Sequence, residues 1–266
     1  PVLIRDEKTA SGRVHVGSMR GVAIHGLVSE VLAEQGVKNR FLYEINDFDV
    51  FDSVPEYLAR GRFDEYLGKL LISVPSPAGE AANYAEYFAS DFIKALAHAG
   101  FVPEYYRGSS LYLSGRMNKV IKTALKKASV IRDIYKRVSG STRAEDWLPF
   151  HPVCENCGKI ATTEASDFDG KTIAYTCRVD KVDYTKGCGH TARVSPYDGG
   201  GKLPWKVEWA AKWVVMDVQV EGGGKDHSTK GGARDVANHI AKEVYAYEPP
   251  LDIPYEFFLV GGAKMS

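Results

Sequence analysis

The chain has no uninterrupted apolar stretch near the roughly 18 residues that a membrane-crossing helix needs, which excludes a helical membrane span. No charged, apolar, small-residue leader opens it, so the expected compartment is the cytoplasm. Charge of neither sign is in excess: 34 Lys and Arg stand against 34 Asp and Glu. Such a chain has no overall field to draw in nucleic acid; DNA is not an expected partner, and any RNA contact must come from a local patch. Internal repeats and low-complexity tracts are absent, which sets aside a repeat array. Cysteine is scarce, with four in 266 residues. What remains is ordinary globular material, 44% hydrophobic and 26% charged, long enough to bury a substantial core in one or two domains. A monomer is expected.

The few cysteines are not scattered. All fall between Cys154 and Cys188, as Cys154-Glu-Asn-Cys157, then Cys177, then Cys188-Gly-His190. A C-x2-C pair followed by further sulfur and imidazole donors fits tetrahedral zinc, with Gly158 and Gly187 permitting the tight turns. Two disulfides are the rival, but in a reducing compartment they would not persist. Cys154, Cys157, Cys177 and Cys188 form a complete thiolate shell, with His190 as the alternative to Cys188. A closed shell leaves no open position for water, so the expected Zn2+ is structural.

Glycine is concentrated where chemistry is expected. The apolar stretch Val2-Leu3-Ile4 runs through the turn Thr9-Ala-Ser-Gly12-Arg-Val-His15-Val16-Gly17-Ser18 into a segment with Ile24, Leu27, Val28, Val31 and Leu32 at helical spacing, and Gly36 supplies a stop. A strand, a glycine turn and a helix N-terminus make an anion site, because free N–H groups and the positive end of the dipole face the ligand. His15 could donate to a phosphate oxygen, and Gly17 lets a base or ribose approach the backbone. At the far end, Gly262-Ala-Lys264-Met265-Ser266 reads as a lysine-bearing loop that closes over phosphates, and the two together suggest chemistry on ATP. Gly222-Gly-Gly224-Lys225-Asp226-His227 repeats the pattern: it is expected to follow a strand at Trp213–Val218 and to precede a helix with Ala233, Val236, Ala237, Ile240, Ala241 and Val244 on one face.

Between Arg116 and Arg143 nine basic residues face one acid, Asp133, with apolar residues interleaved at helical spacing. The pattern predicts an amphipathic helix over 116–138 whose cationic face, with Lys119, Lys122, Lys126 and Lys127, could track an RNA backbone. A second parallel strand is expected at Arg40–Asp47, a helix at 83–99, and a linker at Asp198–Gly201. Alternating strands and helices argue for an α/β fold, a doubly wound parallel sheet of Rossmann-like type with an inserted helical and zinc-binding subdomain and ligands at the carboxyl ends of the strands. The expected division is 1–75 and 201–266 for the two halves of the nucleotide fold, 76–148 for the helical insertion and 149–200 for the zinc-binding part.

The His15-Val-Gly-Ser and Lys264-Met-Ser stretches resemble the two signatures of class I aminoacyl-tRNA synthetases. Gly201-Lys-Leu-Pro-Trp205-Lys-Val-Glu208-Trp209-Ala-Ala-Lys-Trp213, Gly224-Lys-Asp-His227 and Tyr255–Ser266 narrow the resemblance to class I lysyl-tRNA synthetases, over nearly the whole chain. Arginyl and glutamyl relatives fit less well. The turn 6–12 departs from the small, Pro-containing sequence usual in the family, and the chain stops inside the second signature, so a catalytic fragment is expected. The resemblance implies that lysine is activated with ATP and Mg2+ to lysyl-adenylate and transferred to tRNA(Lys). It implies that His15 and Lys264 stabilise the transition state, that Gly12, Gly17, Ser18, Gly224, Asp226, Met265 and Ser266 complete the ATP site with Asp226 on the ribose, and that His227 positions the amino acid. A lysine ammonium needs acid or aromatic walls; Thr9, Tyr43, Asp47, Asp49, Trp205 and Glu208 are the candidates. The alternatives are a class I synthetase for arginine or glutamate, and a non-catalytic zinc-containing tRNA-binding module.

Overall fold

A computed structural model describes residues 1–264; Met265 and Ser266 lie outside the described residues. Three parallel strands form its centre: β1 (Val2–Thr9) pairs along its whole length with β2 (Asn39–Asn46), which pairs with β3 (Glu104–Arg107). On the other side of β1 the stretch 218–224 runs parallel to it, joined through Ile4 and Val220, and Val220 joins Leu251 in turn. The spatial order is therefore β3, β2, β1, then 218–224, then 251–255, all parallel. Sequence alternation decides which face each residue takes: Phe41, Tyr43 and Ile45 enter one core with Ile4, while Leu42 enters the other with Leu3.

Helices cover both faces, as a doubly wound sheet requires. Against the first core lie α1 (Met19–Glu34) and, after the short α2 (Arg60–Phe63), α3 (Tyr84–His98), whose Asn83 cap accepts from the Glu86 N–H at 3.0 Å. Against the second lie α4 (Gly108–Leu113), α5 (Asn118–Lys126), α6 (Ala128–Ser139), α7 (Trp205–Met216) and α8 (Ala233–Tyr245). The stretch 76–148 thus supplies β3 to the central sheet and helices to its core. The expected single helix over 116–138 is two helices broken at Lys127, and α6 stops at Gly140, which takes the left-handed φ of 68°.

Two sequence expectations are corrected here. The strand expected at Trp213–Val218 is the last turn of α7, and the strand begins after Asp217, which takes φ 55°. The β-branched pair Val214-Val215 suggested a strand, but Val207, Ala210 and Ala211 at helical spacing bury one face of α7 against α8, and that packing overrides propensity. In α1 the inward line is Val22, His25, Val28 and Leu32, leaving Leu27 and Val31 exposed.

Residues 149–202 leave the sheet as a small antiparallel body. β4 (His151–Pro152) pairs with β8 (Gly201–Lys202) at its base, and β5 (Thr163–Phe168), β6 (Ile173–Cys177) and β7 (Thr191–Val194) form its sheet. Beyond α8, β9 (Gly223–Gly224) pairs parallel with β10 (Pro254–Tyr255), and β11 (Leu259–Val260) makes a hairpin with β12 (Ala263–Lys264). Among the described residues, no helix is long and apolar enough to cross a membrane.

Candidate active site

At the carboxyl ends of β1 and of 218–224 the sheet opens into a cleft of about 360 Å³, at the crossover point where such folds bind ligands. One wall is the turn into α1. His15 is extended, and a single turn of tight helix, Val16–Ser18, carries the chain into α1. The His15 Nδ1 is enclosed without a hydrogen-bond partner among the described residues. Burial, then the neighbouring charges of Lys8 and Arg20, hold the imidazole below its ordinary pKa, so it is neutral at pH 7. Arg20 lies over the Tyr255 ring at 4.8 Å, with its Nε and Nη1 enclosed and unpartnered among the described residues.

The opposite wall is aromatic. Trp205 and Trp209 stack at 5.9 Å, Trp213 follows at 5.6 Å, and the His227 ring sets its edge to both Trp205 and Trp209. Spacing of four along α7 puts the three indoles in one column. Their orientation is fixed from below: Glu221 accepts from the Trp209 and Trp213 indole N–H groups at 2.8 and 2.9 Å, and from Arg5 Nη1 at 2.6 Å. The floor is backbone. A Cβ on Gly222 would stand 2.3 Å from the Ile253 carbonyl oxygen, so only glycine lets the two end strands close together there.

Beneath the floor runs a buried chain of charge. Arg5 binds Glu7, Glu44 and Glu221; the Lys212 ammonium meets Glu44 at 2.6 Å and Glu208 at 3.5 Å; Lys202 meets Glu208 and Asp49, each at 3.0 Å. Lys212 and Arg5 outweigh burial and hold the Glu44 carboxyl down at about 2. Asp6, Glu7 and Glu221 line the cleft together with Lys8 and Arg20, and the buried Arg234 interacts with Glu221. Burial pushes the Asp6 carboxyl up to about 6. An acid whose folded pKa is raised weakens the fold once it ionises. Asp6→Asn keeps the acceptor for the Glu7 N–H and is therefore expected to stabilise the free protein by about 1–3 kcal/mol above pH 6, the gain fading to nothing as pH falls below the ordinary aspartate value. Thermal melts of both proteins across pH 3.5–8 check this; a gain that persists at the acid end contradicts it.

Of the residues expected from sequence, His15, Gly17, Ser18, Trp205, Gly224, Asp226 and His227 line this one cleft. The others stand elsewhere. Gly12 packs against Tyr57, and Thr9 bonds Asp49 at 3.3 Å. Tyr43 is buried between Phe41, Phe92 and Tyr105. Asp47 caps the start of α4 through the Ser109 N–H and hydroxyl. Glu208 sits under the floor, bonded by Tyr112 and the two lysines. The Lys264 backbone pairs with Leu259 in the terminal hairpin, and Met265 and Ser266 are outside the described residues. Sequence reasoning missed Asp6, Glu7, Lys8, Arg20, Glu221 and Tyr255. A signal existed for the first three: Arg5-Asp6-Glu7-Lys8 is a run of four charges inside a strand that opens Val-Leu-Ile.

In the small body the four cysteine sulfurs lie within 4.8 Å of one another, with Cys154–Cys188 at 3.6 Å and Cys157–Cys177 at 3.7 Å. Tetrahedral thiolates on a zinc-sized ion stand about 3.8 Å apart, so the cluster is shaped to hold a metal. His190 is not in it; its ring lies against Tyr175 and its carbonyl accepts from the Cys177 N–H. On the basic helices Lys127 donates to the carbonyls of Glu243 and Val244, finishing the C-terminal end of α8.

The sequence model of the class I (K) tRNA synthetases matches residues 2–266. Among curated proteins, lysine–tRNA ligase 1 of Methanosarcina acetivorans is 42% identical over 95% of this chain and 46% of its own length, and lysine–tRNA ligase of Archaeoglobus fulgidus is 35% identical over 95% and 49%. That of Thermoplasma acidophilum is 32% identical over 95% and 48%. The chain spans about half the length of these relatives. Among solved structures, a glutamate-tRNA synthetase from Elizabethkingia anophelis aligns with all of this chain and 52% of its own, at 14% identity and a TM-score of 0.47.

Proposed function

The chain belongs to the class I (K) tRNA synthetase family, and from that premise we propose that it activates lysine with ATP to lysyl-adenylate and passes the lysyl group to tRNA(Lys). The observation that carries this reading is the single cleft in which an imidazole and a guanidinium, both with enclosed unpartnered nitrogens, face an anionic and aromatic wall. Enclosed donors without partners await an acceptor, and the triphosphate supplies one. Nucleotide lies along the α1 N-terminus and the Gly222–Gly224 backbone, with Asp226 at the ribose. The ammonium groups of lysine are met by the carboxylates of Asp6, Glu7 and Glu221, and the indoles of Trp205 and Trp209 cover its alkyl chain.

In the first step the lysine carboxylate attacks the α-phosphorus and pyrophosphate leaves; in the second the terminal ribose hydroxyl of tRNA takes the lysyl group. No side chain becomes covalently attached. Arg20 and His15 supply donors where negative charge gathers, and Lys264 of the second signature is the further candidate. Magnesium arrives with ATP. The four cysteines hold zinc as a cross-link of the 149–200 body, and Lys119, Lys122 and Lys126 on α5 offer the surface for tRNA. The protein works as a cytoplasmic monomer.

The test is ATP–pyrophosphate exchange. Lysine is expected to drive exchange while arginine and glutamate do not; exchange driven by either of those reassigns the substrate. Calorimetry on the 266-residue chain with lysine and a non-hydrolysable ATP analogue separates this reading from a binding module, since binding of neither removes the catalytic proposal. For the metal, Cys188→Ala is expected to lose most of the bound zinc measured by elemental analysis, and His190→Ala to retain it. The reverse result makes His190 the ligand.

A further inference from the structure

His25 belongs to neither signature and does not itself line the cleft, yet it is fully buried within α1. Its two ring nitrogens meet two backbones from opposite walls. Nδ1 stands 2.7 Å from the Gly21 carbonyl oxygen, and Nε2 accepts from the Gly222 N–H at 2.7 Å. A carbonyl oxygen can only accept and an amide N–H can only donate, so one protonation state satisfies both contacts: the neutral imidazole with its hydrogen on Nδ1. The ring lies along Phe41 at 6.0 Å, and the Asp6 carboxylate is 3.7 Å from Nδ1.

Gly21 and Gly222 are both cleft residues. Gly21 lies one turn into the helix that carries Ser18 and Arg20, where a Cβ would stand 2.5 Å from Asp6 and 2.9 Å from the Tyr255 hydroxyl. Gly222 opens the strip that leads to Asp226 and His227. Among the described residues, no other side-chain hydrogen bond joins α1 to 218–224. We propose that His25 is a positioning residue: its imidazole ties the α1 wall to the Gly222 strip and so sets the width of the cleft that receives the nucleotide. The inference rests on the nucleotide reading of that cleft.

Two substitutions divide the imidazole into its halves. The Asn side-chain nitrogen falls where Nδ1 was and keeps the donor to Gly21; the Gln side-chain oxygen falls where Nε2 was and keeps the acceptor for Gly222. His25→Asn orphans the Gly222 N–H, whereas the Gly21 carbonyl keeps the helical N–H of residue 25 in both variants, so His25→Asn is expected to melt somewhat lower. Calorimetry with a non-hydrolysable ATP analogue should then part them: His25→Gln within about threefold of wild type, His25→Asn weaker by about tenfold or more. Hydrogen exchange at the Gly222 amide should be slow in wild type and His25→Gln and fast in His25→Asn. Equal affinities for the two variants, with equal melting, overturn the brace and leave the nucleotide reading standing. Failure of wild-type protein to bind the analogue overturns the nucleotide reading instead; the brace is then judged by nitrogen NMR of His25, where a proton on Nε2 defeats it.

Discussion

Arg20→Ala is expected to cut the rate of lysine-dependent pyrophosphate exchange by about 100- to 1,000-fold, the size of loss that follows removal of one preorganised donor from a developing negative charge. The argument starts from burial. Two guanidinium nitrogens of Arg20 are enclosed without an acceptor among the described residues, and the guanidinium lies over the Tyr255 ring. Orphaned donors destabilise the free protein, so the arrangement is retained for what the ligand brings. The loss should fall mainly on kcat, with the lysine KM changed far less, because the donors strengthen as charge builds on the phosphorus. Arg20→Lys keeps the charge but loses the planar fork and the stacking on Tyr255, and should recover only part of the rate. The alanine variant should fold normally, since it removes unsatisfied groups. A variant that exchanges within threefold of wild type at saturating lysine would show that Arg20 only packs against Tyr255.

Much of this cleft was legible in the sequence, and the part that was not has a physical cause. Strand, glycine turn and helix follow one another locally, so His15, Gly17 and Ser18 could be placed from spacing alone, as could Gly224, Asp226 and His227. The cysteine set was legible for the same reason, because tetrahedral ligation constrains donor type more than distance along the chain. Glu208 and Trp205 show the limit. They lie three apart on α7, yet one faces the cleft and the other is sealed beneath it, bonded to Tyr112, Lys202 and Lys212. Which way α7 is rotated depends on α8 and on Glu44, residues far away in sequence. Reading Trp213–Val218 as a strand hid that rotation altogether. The acids of β1 went unread because a strand with four consecutive charges contradicts the rule for buried parallel strands. It is permitted only because the charges answer one another across three elements.

That mutual dependence makes the buried chain the most fragile part of the fold. Lys212→Met conserves the apolar stem but removes the ammonium from between Glu44 and Glu208, both almost wholly enclosed. Arg5 and Lys202 still hold Glu44 and Glu208, but breaking a buried ion pair by removing one partner costs about 3–5 kcal/mol, a large fraction of the 5–15 kcal/mol that holds a typical domain together. For a chain of this size the melting temperature is expected to fall by roughly 10 °C. Adding Glu44→Gln removes one of these carboxylates, so the double variant should melt higher than Lys212→Met alone, a non-additivity of about 1 kcal/mol or more. The acid limb carries the same signature with the opposite protonation. Because Lys212 and Arg5 hold Glu44 down at about 2, its contribution is complete above the ordinary glutamate range and is lost as pH falls from there toward 2. In Lys212→Met the Glu44 carboxyl loses a partner and should titrate higher, so lowering the pH from about 5 to 3 should narrow the gap between variant and wild type. A gap that stays constant over that interval, or a loss under about 3 °C at pH 7, would mean that water already reaches these charges and that the network contributes no more than a surface pair.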